Sequence, residues 1–332
     1  MMPPSTPSAL VRRGRPLVSM LVVTVVAVAS VGTASAAADS TTSRAATFAK
    51  RVNIGNGRSM YIECRGKGSP TVLLLSGLIG ASDLWHAAGQ KPPTVYGSVA
   101  RSTRVCAYDR PGTLRSDGAP SRSDPVPQPT TTQDAVDDLD ALLKAADVPG
   151  PYVLAAHSYG GLIARVFASE HPDEVKGIVF VDALGPELRA QMTPQEWTTW
   201  KRISGPRAAT IEQYPAIERI DFDESLDAVV AAAPLLPVPV AVLTASQKYA
   251  KELPKLIDAG QLPPDTPRDF GKVMDRAWTA AQNELASLVP GAVHITNTHS
   301  GHNIMLGNAP VVIRSIRRVV NAVRAGRSSL KA

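Results

Sequence analysis

Ser158 is the residue of this 332-residue chain best placed, by type and surroundings, to do chemistry. The stretch from 151 to 162 reads PYVLAAHSYGGL. Its apolar run, Tyr152 to Ala156, predicts a buried strand, and Gly160-Gly161 opens a helical pattern, LIARVFASEH. A serine at such a strand-to-helix corner, with small residues two before and two after, has the form of a nucleophile elbow. The turn is tight, so Ala156 and Gly160 must be small for strand and helix to pass each other. The hydroxyl is then held proud of the sheet, at the start of a helix whose free N–H groups favour developing negative charge. The same residues also fit a plain strand-turn-helix, so the reading turns on what else the chain supplies.

A serine nucleophile needs a base and an acid that orients it. Of the six histidines, His302 stands out. It lies in a glycine-containing loop after the last predicted strand, Ala292 to Thr296, and before a closing amphipathic helix, Pro310 to Ala325. His299 is its near rival. His157 adjoins the serine, but a sequence neighbour cannot easily reach the hydroxyl. His86, His171 and His294 have no partner pattern and read as structural. For the acid, the apolar run EVKGIVFV, Glu174 to Val181, ends in Asp182, at the edge where open α/β sheets place functional groups. Another apolar run, Thr71 to Leu75, ends in Ser76-Gly77-Leu78-Ile79-Gly80. There the Leu78 N–H is a candidate donor to an oxyanion, and an ordinary glycine turn is the competing reading. Asp109 and Arg110, after the strand Arg104 to Tyr108, are expected to hold loops by charge-assisted hydrogen bonds.

The elements that must position these residues alternate between strand and helix. A hairpin around Asn56-Gly57 comes first, with strands Val52–Ile54 and Met60–Cys64. Thr131 to Ala146 carries Ala135, Leu139, Leu142 and Leu143 at helical spacing, and its acids Asp134, Asp137, Asp138 and Asp140 read as a solvated face. Residues 185–237 break the alternation, and so long a connection needs structure of its own. Trp197, Trp200 and two helical pieces point to a small helical cap lined by apolar side chains. Val238 to Thr244 is the next strand. Residues 246–268 read as polar and proline-rich, and Asp269 to Leu288 as an amphipathic helix.

Residues 1–38 read as a secretory signal. Arg12, Arg13 and Arg15 precede the apolar stretch Leu17 to Val31, and Ala34-Ser35-Ala36 offers a cleavage site. Cleavage near Ala36 would leave 32 basic residues against 29 acidic. That balance and the lack of a clustered basic stripe give no case for nucleic acid. About 290 residues suffice for one large α/β domain. No long apolar run follows the signal, so no membrane span is implied.

Taken together the chain resembles the α/β-hydrolase superfamily over roughly residues 50–325. Four motifs in the family's order carry the resemblance: SGLIG, YDRPG, AHSYGG and SGH. It implies an eight-stranded, mostly parallel sheet flanked by helices, with residues 39–184 and 238–332 as the core and 185–237 as the cap. It implies Ser158 as nucleophile, His302 as base, and the N–H groups of Leu78 and Tyr159 as oxyanion donors. It also puts the second strand antiparallel beside the fourth. That makes the only two cysteines, Cys64 and Cys106, neighbours and a disulfide pair in an exported protein. A serine nucleophile sets the chain apart from the branches that use aspartate there. Three departures stand out. Ala156 replaces the first elbow glycine. Ser76-Gly77 stands where His-Gly is usual. The loop after the seventh strand, Thr244 to Lys248, has no carboxylate. Asp182 after the sixth strand is then the leading acid, with Asp258 and Glu252 as alternatives.

These readings imply a secreted serine hydrolase acting on small-to-medium apolar carboxylic esters through an acyl-enzyme. The mechanism needs no cofactor, and no metal-ligand spacing is present. Amide, lactone or perhydrolytic chemistry on the same residues, and a ligand-binding protein without turnover, are the competing expectations.

Overall fold

The computed structural model describes residues 47–86 and 93–330. The expected signal, 1–38, lies outside them. The eight strands are β1 (Phe48–Gly55), β2 (Arg58–Arg65), β3 (Thr71–Leu75), β4 (Val105–Tyr108), β5 (Tyr152–His157), β6 (Val175–Val181), β7 (Val240–Leu243) and β8 (Val293–Ile295). They form one sheet in the order β1-β2-β4-β3-β5-β6-β7-β8. Only β1–β2 and β2–β4 pair antiparallel. This is the eight-stranded, mostly parallel α/β-hydrolase sheet.

The central strands are apolar on both faces because helices cover both. Along β5, Leu154 and Ala156 join the core against α2 (Thr132–Ala145) and α3 (Gly160–Glu170). Val153 and Ala155 point the other way, into the core against α1 (Val95–Val99) and α11 (Ala309–Arg324). Between β6 and β7 run four helices, α4 (Glu187–Ala190), α5 (Pro194–Ser204), α6 (Ala208–Gln213) and α7 (Phe222–Ala231). After β7 come α8 (Tyr249–Asp258) and α9 (Phe270–Ser287), and after β8 the short α10 (Ile304–Gly307).

Two sequence readings need correction. Residues 246–268 are not simply a polar stretch. Tyr249, Leu253 and Ile257 recur every four residues, and in α8 they make one stripe against the core despite Pro254 inside the helix. The acids of α2 are not all turned to water either. Asp138 takes both arms of Arg58, at 2.6 and 2.8 Å, and ties the β1–β2 hairpin to α2. The hairpin is longer than its weak alternation suggests, because most of β1 is exposed and has no apolar face to display. Among the described residues, no helix is long and apolar enough to cross a membrane.

Cys64 and Cys106 stand opposite each other in the β2–β4 register and are bonded. The bond closes a separation of 42 residues across the junction of the antiparallel and parallel parts of the sheet. Loop-closure entropy gives such a link about 4 kcal/mol. Replacing both cysteines with alanine should lower the thermal midpoint by roughly 10 °C. An unchanged midpoint in a calorimetric scan would show that the sheet does not depend on the bond.

Candidate active site

The site lies at the C-terminal ends of the parallel strands. β5 ends at His157, Ser158 turns the chain, and α3 begins at Gly160. Ser158 has φ +51°, a left-handed conformation that costs a non-glycine residue of order 1–3 kcal/mol. Surrounding bonds hold it there. The Ser158 N–H donates to Val181 O at 3.3 Å, and its carbonyl accepts from Gly161 N at 2.9 Å and Leu184 N at 2.9 Å. Gly160 is required by crowding, since a Cβ there would lie 2.5 Å from Leu75 O. At Ala156 one methyl fits, wholly buried in the core.

Asp182 follows β6, also with positive φ (+46°) and with no exposed surface. Its N–H donates to Leu243 O at 2.7 Å, which continues the β6–β7 pairing one step further. Its carboxylate has two donors. Oδ1 accepts the Ala245 N–H at 2.8 Å, and Oδ2 lies 2.7 Å from His302 Nδ1. The loop after β7, which has no acid of its own, therefore supplies a hydrogen bond to the acid after β6. Asp258 pairs with Arg268, and Glu252 with Lys255, on the surface.

The loop carrying His302 is fastened to the loop after β7. Ser246 N and Gln247 N donate to Ser300 O, and Thr298 Oγ1 donates to Thr244 O at 2.8 Å. With Nδ1 engaged by Asp182, Nε2 is the ring nitrogen left to face a reacting proton. His302 and Ser158 line the same cavity. His299 is exposed and lies outside that cavity.

His157 has a role its sequence position does not disclose. It is 3% exposed, its ring centre is 4.7 Å from that of His302, and its Nε2 lies 3.2 Å from the His302 carbonyl. A carbonyl only accepts, so Nε2 carries the proton. Burial first, then the proximity of His302, push the His157 pKa well below its ordinary value. The ring is a neutral strut beneath the His302 loop.

Leu78 borders the cavity and Tyr159 follows Ser158 directly, and neither backbone N–H finds an acceptor among the described residues. The loop bearing Leu78 is supported where the family more often has histidine. The Ser76 hydroxyl accepts from Trp85 Nε1 at 3.0 Å and donates to Ala81 O at 3.0 Å.

The cavity encloses about 490 Å³. Trp200 and Phe222 come to it from the segment between β6 and β7, and Tyr249, Met274 and Trp278 from α8 and α9. Among the described residues, no aspartate, glutamate, lysine or arginine lines it. The Trp278 ring stands edge-on to His302 at 5.2 Å. The last three wall residues were invisible in the sequence, although their helical spacing (Met274 and Trp278 are four apart) was a usable signal. A larger cleft, 590 Å³, lies between the β1–β2 hairpin and α2 and contains none of Ser158, Asp182 and His302. Among the described residues, no group of three or more His, Cys, Asp or Glu could hold a metal ion.

Residues 70–258 match the family model for the alpha/beta hydrolase fold, and the chain belongs to that family. An 81-residue stretch is 49% identical to an uncharacterized protein of Schizosaccharomyces pombe, covering 24% of this chain and 14% of that one. A protein of Hormonema carpetanum named as a probable transporter is 26% identical over 300 residues, 80% of this chain and 41% of its own length. The chain thus spans less than half of either relative. Among solved structures, a lipase candidate from Acinetobacter baumannii AYE is 19% identical, with TM-score 0.54, covering 85% of this chain and 93% of that one. A meta-cleavage product hydrolase from Pseudomonas fluorescens IP01 is 16% identical, with TM-score 0.51, covering 82% and 98%. At such identities the likeness is one of fold.

The buried neutral His157 makes stability depend on pH. Its folded pKa lies below the unfolded value of about 6.5, so the unfolded chain binds the extra proton in that window. Stability is complete above about pH 6.5 and is lost as the pH falls below it toward the folded pKa. Urea midpoints should decline between about pH 6.5 and 5, and His157→Asn should flatten that decline. An identical slope in the variant would contradict a buried neutral imidazole.

Proposed function

We propose that this α/β hydrolase is an exported serine esterase in which Ser158, His302 and Asp182 form the catalytic triad. The observation that carries the reading is the 2.7 Å contact between His302 Nδ1 and the wholly buried Asp182, in the cavity that also receives Ser158. Export is supported by the signal-like residues Arg12 to Ala36 and by the Cys64–Cys106 bond.

In this mechanism His302 Nε2 takes the Ser158 proton as Oγ attacks the ester carbonyl. The oxygen gains negative charge and is met by the N–H groups of Leu78 and Tyr159, with the α3 N-terminus behind them. Collapse of the tetrahedral adduct expels the alcohol, which receives the proton from His302. Water, deprotonated by the same imidazole, then releases the acid. Asp182 fixes the tautomer and stabilises the imidazolium. The uncharged wall of Leu78, Leu114, Leu184, Trp200, Phe222 and Trp278 favours neutral, apolar acyl or alcohol groups of small to medium size. Among the described residues, the buried indole N–H groups of Trp200 and Trp278 have no acceptor.

Intact mass after exposure to a fluorophosphonate tests the assignment. One adduct is expected on the wild type and none on Ser158→Ala. Asp182→Asn should lower kcat on a neutral ester by at least about 10³-fold, because the imidazole loses its orienting acceptor. Full turnover by that variant would remove Asp182 from the triad. Full labelling of Ser158→Ala would remove the nucleophile.

A further inference from the structure

The loop that presents the Leu78 N–H is gripped from both sides by a buried ion pair drawn from two distant parts of the chain. Arg110 follows β4, and Glu218 lies between α6 and α7; they are 3% and 2% exposed. Arg110 Nε donates to Glu218 Oε1 at 2.6 Å and Nη2 to Oε2 at 3.0 Å, a two-pronged contact. The same guanidinium donates through Nη1 to Ser76 O at 2.9 Å and through Nη2 to Gly77 O at 2.7 Å. Glu218 Oε2 in turn accepts the Ile79 N–H at 2.6 Å.

The bonding pattern acts directly on Leu78. The Gly77 carbonyl and the Leu78 N–H belong to one planar trans amide, so a donor fixed on that oxygen sets the direction of the hydrogen opposite it. The next amide joins the Leu78 carbonyl to the Ile79 N–H, and Glu218 holds that one. Ile79 is at φ +65°, unfavourable for a β-branched residue and in need of an external hold. Arg110 also lies 5.2 Å from the centre of the Tyr159 ring. Glu218 can reach this place because its own N–H donates to Gly112 O at 2.9 Å. A Cβ on Gly112 would lie 2.4 Å from Ala216 O and 2.7 Å from Glu218 N.

We infer that Glu218 and Arg110 are positioning residues that aim the Leu78 N–H, which makes the segment between β6 and β7 a working part of the oxyanion hole. This rests on Leu78 being an oxyanion donor, as proposed above. The N–H must meet the oxygen where it stands in the transition state, so a misaimed donor lowers kcat more than it raises KM.

The test compares wild type, Ser158→Ala, Glu218→Gln, Glu218→Asp, Arg110→Lys and Asp223→Asn on p-nitrophenyl butyrate, with fluorophosphonate labelling and thermal midpoints alongside. Glu218→Gln and Arg110→Lys should lower kcat about 10²-fold, with KM within about threefold of wild type. Glu218→Asp keeps the charge and should recover part of that loss; it also carries the test should Glu218→Gln fail to fold. Asp223 accepts from Trp197 Nε1 and Lys201 Nζ and so ties α5 to α7 away from Leu78. Asp223→Asn should raise KM and leave kcat within about threefold. Wild-type kcat in a folded Glu218→Gln, or an equal kcat loss in Asp223→Asn, would overturn the positioning role while a labelled Ser158 left the esterase reading standing. A wild type that neither labels nor turns over ester would remove both.

Discussion

A carboxylate with no exposed surface has to replace the water it has lost, and around Asp182 that requirement reaches through three loops. One oxygen takes a backbone N–H from the loop after β7 and the other takes the imidazole from the loop after β8. Those loops are bound to each other through Ser246, Thr298 and Ser300. The chain at Asp182 is itself in a left-handed conformation that places the carboxylate across the strand ends. Were that carboxylate unpaired, the cost would be several kcal/mol, a large share of a domain's net stability. The geometry that orients His302 is thus also a condition for a well-packed sheet edge.

Much of this was legible in the sequence, and the reasons differ residue by residue. Ser158 could be read because a tight strand-to-helix turn leaves a local mark: an apolar run, a serine, then small residues. The mostly parallel eight-stranded sheet, with its second strand antiparallel beside the fourth, is what the family resemblance carried by the four motifs implies. Asp182 led Asp258 and Glu252 as candidate acid because Thr244 to Lys248 holds no carboxylate and Asp182 stands at a strand's end. Other residues left no local mark. Glu218 sits 108 residues from Arg110, and nothing in its neighbours speaks of an ion pair. His157 looked disqualified by adjacency to the serine, yet its ring meets the His302 carbonyl, 145 positions away. Tyr249 was concealed by a stretch whose prolines and charges outweighed its four-residue spacing.

The pocket wall shows a division of labour. The ends of the core strands and their loops carry Ser158, Asp182 and His302, whereas the helices between β6 and β7 and after β7 supply most of the aromatic surface. Trp197 and Trp200 stack at 4.8 Å with planes 7° apart, and Phe222 stands edge-on to both. Aromatic clusters of this kind give large contact area with little rotamer freedom to lose. Rigid flat walls offer shape and apolar area, and among the described residues no aspartate, glutamate, lysine or arginine on the wall gives purchase to a charged substituent.

β6 and β7 lie side by side, with Val181 opposite Leu243. The loops after these strands therefore meet at one carboxylate, where the Ala245 N–H and His302 Nδ1 both reach Asp182. In this chain Asp182, next after β6, brings the charge, and Ala245, two places after β7, brings the amide that steadies it. The acid's address is thus a groove between two strand ends rather than a place in the sequence. In evolutionary terms the third member of the proposed triad is held by two strand ends at once, so substitutions in either loop bear on it.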